Sequence, residues 1–259
     1  MDLGIAGRKA IVCASSRGLG KGCAQALAEA GVDVTINGRD ESQLEAAAEE
    51  LRELTGATIT AVAADVSSRD GQKKLLDACP QPDILINNNG GPPFRDYLEL
   101  DREAMLEGVI MNMVTPIELI QSVIEHMKQQ HFGRIVNITS FSVRTPVAGL
   151  DLSSGARGGL TAFLGGVARQ VASHNVTVNH MLPGFFDTDR LTALRERRAK
   201  GEGLSVDQVA ERMTSSIPTG RFGDPQEFGS TCAFLCSQHA AYITGQSLLI
   251  DGGFFNTTI

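Results

Sequence analysis

The chain has 259 residues, 42% of them hydrophobic and 20% charged, and carries a net charge of −7 at pH 7. This composition is ordinary for a globular protein, and the length suffices for one large α/β domain. The negative charge disfavours nucleic acids and anionic membrane surfaces as partners. No apolar run reaches the ~18 residues of a transmembrane helix, and residues 1–4 lack the pattern of a signal peptide. We expect a cytoplasmic protein with no nucleic acid or membrane partner.

The five cysteines are odd in number and form no CxxC pair. Cys232 and Cys236 are spaced by one helical turn, which would suit half of a metal site, but no His or Cys neighbours complete a ligand set. We interpret the cysteines as buried, small apolar side chains and predict no metal. Free cysteines are typical of a reducing compartment, in agreement with a cytoplasmic protein.

Short apolar segments alternate with longer amphipathic ones along the chain. The predicted strands cover residues 9–13, 32–37, 58–63, 83–87, 134–139, 177–181 and 246–250. The predicted helices cover residues 18–30, 41–54, 68–78, 101–129, 153–173 and 225–236, and the polar segment 187–216 is predicted to be irregular with helical pieces. This alternation predicts a doubly wound parallel α/β sheet of about seven strands with helices on both faces. No linker or internal repeat interrupts it, so we predict a single domain, residues 1–259.

A Gly-rich turn, Cys13-Ala14-Ser15-Ser16-Arg17-Gly18-Leu19-Gly20, joins the first predicted strand to the first predicted helix. Glycines in such a turn let the backbone approach a pyrophosphate, and the start of the helix supplies N–H groups and a positive dipole. A Gly-rich turn alone is a weak signal, but its position at the first strand–helix junction favours dinucleotide binding. The residues that we expect to contact the cofactor here are Ser16, Arg17, Gly18, Leu19 and Gly20.

The residues after the second predicted strand bear on the choice of cofactor. An acidic residue there would accept hydrogen bonds from the ribose 2′-hydroxyl of NAD, but the sequence has Asn37-Gly38-Arg39. Arg17 and Arg39 can both reach a 2′-phosphate, and a guanidinium suits phosphate by charge and geometry. The pattern therefore predicts NADP, the alternative being that both arginines are solvated surface residues.

Further motifs follow the predicted strands or lie in the long helices. They are Asp65-Val66, Asn87-Asn88-Asn89-Gly90, Asn112, the segment 133–140, Pro183-Gly184, Tyr242-Ile243-Thr244-Gly245 and Asp251-Gly252-Gly253. Together with the Gly-rich turn they resemble the motifs of the short-chain dehydrogenase/reductase family, close to its 3-oxoacyl-acyl-carrier-protein reductase branch. The resemblance covers nearly the whole chain. It implies a single Rossmann-type domain, an NADP-dependent oxidoreductase and a homotetramer.

The resemblance also implies roles for individual residues. Asp65 and Val66 would contact the adenine of the cofactor, and Asn88 the adjoining ribose, with Gly90 in the same cofactor-binding motif. The residues that would contact the nicotinamide carboxamide are Pro183, Gly184 and Thr188.

Two departures from the family pattern are mild. Ala14 stands at the first glycine of the turn, and Asn89 stands where the family has alanine. We expect the extra methyl of Ala14 to be harmless provided that φ stays negative.

A third departure concerns catalysis. The family uses Asn, Ser, Tyr and Lys, with Tyr and Lys four residues apart on one helix face. Asn112 and Ser140 match the first two, but Ser153 and Arg157 stand in place of Tyr and Lys. A serine hydroxyl is shorter and a weaker acid than a phenol, and an arginine keeps its proton.

Three hypotheses follow. In the first, Ser140 and Arg157 polarise a substrate carbonyl, and an ordered water near Ser153 supplies the proton, in reduction of a small or acyl substrate or oxidation of the matching alcohol. In the second, Tyr97 is the acid, or it is only a tyrosine at the pocket wall. In the third, the protein binds NADP without turnover, as a sensor or as a partner subunit in a mixed oligomer. Arginines of the segment 187–216 favour an anionic substrate or merely solvate a mobile lid, among them Arg190, Arg195, Arg197 and Arg198.

Overall fold

The computed structural model describes residues 1–91 and 94–256, which contain one seven-stranded sheet. Every pair of neighbouring strands is parallel, in the order β3-β2-β1-β4-β5-β6-β7. The strands are β1 Lys9–Val12, β2 Asp33–Gly38, β3 Ile59–Ala63, β4 Ile84–Asn87, β5 Gly133–Ile138, β6 Val176–Pro183 and β7 Ser247–Ile250. The winding direction reverses between β1 and β4, and in such sheets ligands bind where the carboxyl ends of the strands meet at this point.

Nine helices lie within the described residues. They are α1 Gly18–Glu29, α2 Glu41–Thr55, α3 Arg69–Ala78, α4 Arg102–Val109, α5 Thr115–Gln129, α6 Asp151–Val171, α7 Asp189–Glu202, α8 Val206–Ser215 and α9 Pro225–Cys236. Six of them begin at a polar side chain that accepts a hydrogen bond from the first turn, which satisfies part of the free N–H groups there. These caps are Asp40, Ser68, Asp101, Thr188, Ser205 and Asp224. None of the nine is long and apolar enough to cross a membrane.

The sheet is buried between two apolar layers. On one face, Leu27 of α1 and Phe228 of α9 pack in the same cluster as Ile86 of β4. On the other face, Leu119 of α5 and Leu164 of α6 belong to a second cluster. Strands covered on both faces are apolar throughout, which explains their short uninterrupted apolar runs. The predicted doubly wound, Rossmann-type sheet with helices on both faces is confirmed, and all five cysteines are free and buried, as predicted.

The predicted helix 101–129 is confirmed as one continuous helical stretch, Arg102 to Gln129, but it is not α-helical throughout. It consists of α4 and α5, joined by a π-helical turn, Ile110–Val114, which contains Asn112. A π-helical turn inserts one residue into the regular helix and is frequent at functional sites. The prediction of one long helix therefore holds, and only the π-helical turn within it was not predicted from the sequence.

The segment 187–216, predicted to be irregular with helical pieces, is helical over most of its length, so only the irregular part of that prediction is wrong. It forms α7 and α8, which have a small apolar cluster of their own: Leu191, Ala199, Val209 and Met213. Outside this stripe α7 is strongly polar, so its helical periodicity is weak in the sequence, whereas α8 is clearly amphipathic.

Candidate active site

The carboxyl ends of β4, β5 and β6 open into a cleft of about 210 Å³ that α6 and α7 also line. Many residues predicted to be functional line this cleft. They are Leu19, Asn88, Ser140, Ser153, Arg157, Pro183, Gly184 and Thr188. The remaining predicted residues of the Gly-rich turn, Ser16, Arg17, Gly18 and Gly20, with Arg39, Asp65, Val66, Gly90 and Asn112, lie outside its lining.

The Gly-rich turn is held by both neighbouring strands. The backbone N–H of Ser15 donates to the carbonyl of Asn37 on β2 at 2.7 Å, and Asn88 after β4 donates from Nδ2 to the carbonyl of Ala14 at 3.0 Å. The helix that follows comes so close that a Cβ on Gly20 would lie 2.3 Å from the Ala14 oxygen. Only glycine fits there.

Ala14 has φ of 45°, so the expectation of a negative φ is wrong. The left-handed conformation costs a non-glycine residue roughly 1–2 kcal/mol. The hydrogen bonds from Ser15 and Asn88 on either side fix the backbone there, so the alanine adopts this conformation despite its cost.

The residues present fit a dinucleotide at this turn. Helix α1 starts after Arg17 without a side-chain cap, so the N–H groups of its first turn stay available to a phosphate. Ser16 packs against Gly38 at the end of β2, which brings the turn close to the place where the adenosine ribose binds in this architecture.

The last two residues of β2, Asn37 and Gly38, carry no carboxylate. Asn37 is buried and its amide donates to the carbonyls of Val62 and Ala64, both at 3.0 Å, so it ties β2 to β3. Arg39 is exposed. The side chain of Ser67 lowers the pKa of Asp65 by hydrogen bonding, and the charge of Arg39 adds a smaller effect in the same direction, so Arg39 and Asp65 lie near one another.

Arg17 reaches across to the start of α7. Its Nη1 lies 3.0 Å from Oδ2 of Asp189, and both side chains are exposed. The neighbouring Thr188 caps α7, and its methyl would lie 3.4 Å from a Cβ on Gly18. The Gly-rich turn and the first turn of α7 therefore face each other across one end of the cleft.

Asn112 lies behind the cleft rather than in it. It is 4% exposed and lines a small cavity of about 20 Å³. Asn88, Asn89 and Arg157 line both this cavity and the main cleft, and Val66 lines the small cavity only. Asn112 therefore does not line the cleft itself and is connected to it only by the residues that line both spaces.

Ser140 follows β5 and begins a short 3-10 turn. Its Oγ accepts a hydrogen bond from the N–H of Ser142 at 3.1 Å, which orients the side chain. A hydroxyl that accepts from the backbone can still donate its own proton to a group in the cleft.

Ser153 and Arg157 lie one turn apart on α6 and face the cleft together. The Nη1 of Arg157 donates to Oγ of Ser153, and Nη2 donates to the carbonyl of Asn89 at 3.4 Å. Ser153 is 1% exposed and Arg157 is 8% exposed. Burial, and secondarily the charge of Arg190, lower the pKa of Arg157 to about 10, so Arg157 is still a cation at neutral pH.

Neither tyrosine lines the cleft. Tyr97 is 67% exposed in a short 3-10 turn, although Phe94 from the same loop does line the cleft, and Tyr242 is fully exposed. The chain thus brings no phenol to the residues Ser140 and Ser153.

A family model described as Enoyl-(Acyl carrier protein) reductase matches residues 13–255. The chain belongs to the short-chain dehydrogenase/reductase family. This confirms the family that the sequence motifs resemble.

Relatives within this family are named as reductases. The chain is 34% identical over 257 residues to the 3-oxoacyl-[acyl-carrier-protein] reductase FabG of Chlamydia pneumoniae, over 98% of this chain and 99% of the relative. It is 33% identical to the NADPH-dependent reductase BacG of Bacillus subtilis (strain 168), over 95% and 97%. The structure of L-sorbose reductase from Gluconobacter frateurii complexed with NADPH and L-sorbose aligns with a TM-score of 0.94 at 26% identity, over 99% and 100% of the two chains. These names agree with the predicted enzyme class and with the predicted cofactor.

Two residues of this short-chain dehydrogenase/reductase gained importance only from the structure. Asn89, a mild departure in the sequence, donates from Nδ2 to the carbonyl of Met111 at 3.1 Å and so connects the end of β4 to the π-helical turn. Arg190 lines the cleft, where burial lowers the pKa of its guanidinium. In the sequence, nothing distinguishes it from Arg195, Arg197 and Arg198. The one sequence feature that pointed to Asn89 was a polar residue at a position where the family has alanine.

Proposed function

We propose that this protein is an NADP(H)-dependent oxidoreductase that reduces a carbonyl group, or oxidises the matching alcohol, in a small or acyl substrate. The observation that carries the proposal is that Ser140, Ser153 and Arg157 line one cleft with Thr188 beside the Gly-rich turn. Two hydroxyls and a guanidinium are hydrogen-bond donors suited to an oxygen atom. They favour a carbonyl over a carbon–carbon double bond, although the family model's description names an enoyl substrate.

The cofactor would lie across the carboxyl ends of the strands. The first turn of α1 would hold its pyrophosphate, Arg17 and Arg39 its 2′-phosphate, and Asp65, Val66, Asn88 and Gly90 its adenosine. The nicotinamide would meet Pro183, Gly184 and Thr188. When bound, NADPH supplies the hydride that reduces the carbonyl carbon.

The chain's own residues would act on the carbonyl oxygen. Because Ser153 accepts a hydrogen bond from Arg157, its own hydroxyl proton is free to donate into the cleft. Ser140 would donate a second bond, and the Arg157 cation would stabilise the negative charge that develops on the oxygen. Ser153 and Arg157 would thus replace the Tyr and Lys of the family, with an ordered water near Ser153 as the final proton source.

A second water site, distinct from the one near Ser153, would be the small cavity behind Arg157, whose lining does not include Ser153. Its volume of about 20 Å³ has room for roughly one water molecule. Two buried oxygens in its lining, Oδ1 of Asn87 and Oγ1 of Thr115, have no hydrogen-bond partner among the described residues. A water there would satisfy them and contact Arg157 on the side away from the substrate.

A cofactor titration followed by a carbonyl panel tests the proposal. NADPH should bind and at least one ketone or oxoacyl thioester should be reduced, at a low rate because the strong acid is missing. Binding without turnover on any substrate would replace the proposal by a non-catalytic NADP-binding protein, a sensor or a partner subunit. Absence of NADPH binding would overturn both. The homotetramer and the cytoplasmic location remain predictions.

A further inference from the structure

The cleft has the opposite charge to the protein as a whole. The chain carries a net charge of −7, yet three arginines and no Asp or Glu are found among the described residues that line the cleft. The arginines are Arg157, Arg190 and Arg198. A cleft lined by one sign of charge raises the local concentration of ligands of the opposite sign.

The acidic residues nearest in sequence to Arg190 are already paired with other arginines. Asp189 lies 3.0 Å from Arg17, and Asp187 lies 3.4 Å from Arg195. Within the described part of the chain, none of the three arginines in the cleft has a carboxylate within 4.0 Å. Their charges are therefore not neutralised by the protein.

Arg157 and Arg190 approach the same point. A Cβ on Gly91 would lie 2.7 Å from Nη2 of Arg190 and 3.3 Å from Nη1 of Arg157. Arg157 is more than nine-tenths buried, and burying a cation beside a second cation is costly unless an anion lies between them. Burial lowers the pKa of Arg157, which reflects this cost, whereas Arg190 is partly open to solvent and free to meet a ligand.

We infer that Arg190, with the charges of Arg157 and Arg198 beside it, binds a carboxylate of the substrate, and that the substrates are oxo acids with an apolar body. The inference rests on the proposed function and adds the substrate class to it. A guanidinium matches the two oxygens of a carboxylate with paired N–H donors. The cleft is also lined by aromatic and aliphatic side chains, which suit the rest of such a molecule: Phe94, Phe141, Val147, Leu150, Phe185 and Leu194.

A binding experiment tests the anion site without any turnover. Calorimetry of 4-phenylbutanoate and of its neutral isostere 4-phenylbutanamide, with and without NADPH, should show the acid binding about 10- to 100-fold more tightly. Arg190→Met should remove that difference. Lys200→Met makes the same charge change at an exposed position of the same helix outside the cleft and should preserve it. If both variants lose the preference for the acid equally, the effect is one of general charge and the inference is overturned. Tighter binding of the amide than of the acid by the unmutated protein would also overturn it.

A kinetic comparison links the site to the reaction. With NADPH, 2-oxo-4-phenylbutanoate should have a KM about 10- to 100-fold lower than its methyl ester, and Arg190→Met should raise the KM of the acid alone. Reduction of the ester as efficiently as the acid overturns the inference and leaves the proposed function standing. Carboxylate binding that depends on Arg190, without reduction of any carbonyl, supports the anion site while the proposed function fails.

Discussion

On α6, the guanidinium of Arg157 donates a hydrogen bond to the hydroxyl of Ser153, one helical turn earlier. Both side chains line the cleft that Ser140 also lines. The hydroxyl accepts from a cation, so it donates its own proton more readily than an isolated serine would. The two residues form one unit, and a change to either disturbs the other.

The double substitution Ser153→Tyr with Arg157→Lys should raise kcat with NADPH and a ketone well beyond the sum of the single changes. General acid catalysis is typically worth about 10²–10⁴-fold. Ser153→Tyr alone should help little, because a phenol without a neighbouring ammonium keeps its pKa near ~10. Steady-state kinetics of the four proteins measures the coupling.

Two controls accompany that experiment. Ser140→Ala should lower kcat in both backgrounds, because it removes a donor to the carbonyl oxygen. Tyr97→Phe should be nearly silent, since Tyr97 is exposed and does not line the cleft. A double variant that folds, binds NADPH and gains nothing would show that the pair serves other chemistry or none.

Cofactor preference should depend on Arg39. NADPH should bind more tightly than NADH. Arg39→Asp should reduce or reverse this difference in affinity, because a carboxylate repels the 2′-phosphate and accepts a hydrogen bond from a 2′-hydroxyl. Arg69→Asp, also exposed but at the start of α3, is the matched control and should leave the ratio of the two Kd values unchanged. Equal affinities in the unmutated protein would contradict the prediction.

Ala14→Gly should raise the free energy of unfolding by up to about 1 kcal/mol. Glycine adopts the φ of 45° without the steric cost that alanine incurs, and this gain exceeds the added chain entropy of the unfolded state. The same exchange at Ala193, exposed within α7, should lower stability by about 1 kcal/mol. Urea unfolding of both variants measures the two changes in the free energy of unfolding. A decrease in both variants would refute the prediction.

Stability should fall in mild acid because of His180 on β6. This side chain is 2% exposed, and burial lowers its pKa from 6.5 to about 4. Between these values the unfolded chain binds a proton that the folded chain excludes, so the unfolding free energy decreases as the pH falls, by about 3 kcal/mol at pH 4.

His180→Leu should flatten this dependence between pH 6.5 and 4. His239→Gln, at an exposed position, should leave it intact. The comparison uses denaturant unfolding at several pH values. An equally steep decline in His180→Leu would assign the acid sensitivity to other groups.

The predicted homotetramer should be visible by light scattering at micromolar concentration. Apolar side chains are exposed along α4, the π-helical turn and α6, among them Leu106 at 53%, Ile110 at 43% and Phe163 at 48%. Such a surface is typical of an interface between subunits. Phe163→Glu should reduce the assembly, whereas Leu54→Glu on α2 should not. A monomeric unmutated protein would disprove the assembly.

The sequence by itself determined the order of strands and helices, the parallel sheet and the shared face of Ser153 and Arg157. Hydrophobic periodicity and an i, i+4 spacing are local properties, and they survive in any fold that buries the apolar stripe. The Gly-rich sequence at the first strand–helix junction added the prediction of a cofactor-binding turn, and the structure has a tight turn there.

Only the tertiary structure decided the left-handed backbone of Ala14, the π-helical turn around Asn112 and the approach of Arg190 to Arg157. Each depends on groups that are distant along the chain. Hydrogen bonds from β2 and β4 fix the Gly-rich turn, and packing of α7 brings its arginine to the end of β4. Local propensity is weak compared with such contacts, so the charge and shape of the cleft emerge only when the elements pack.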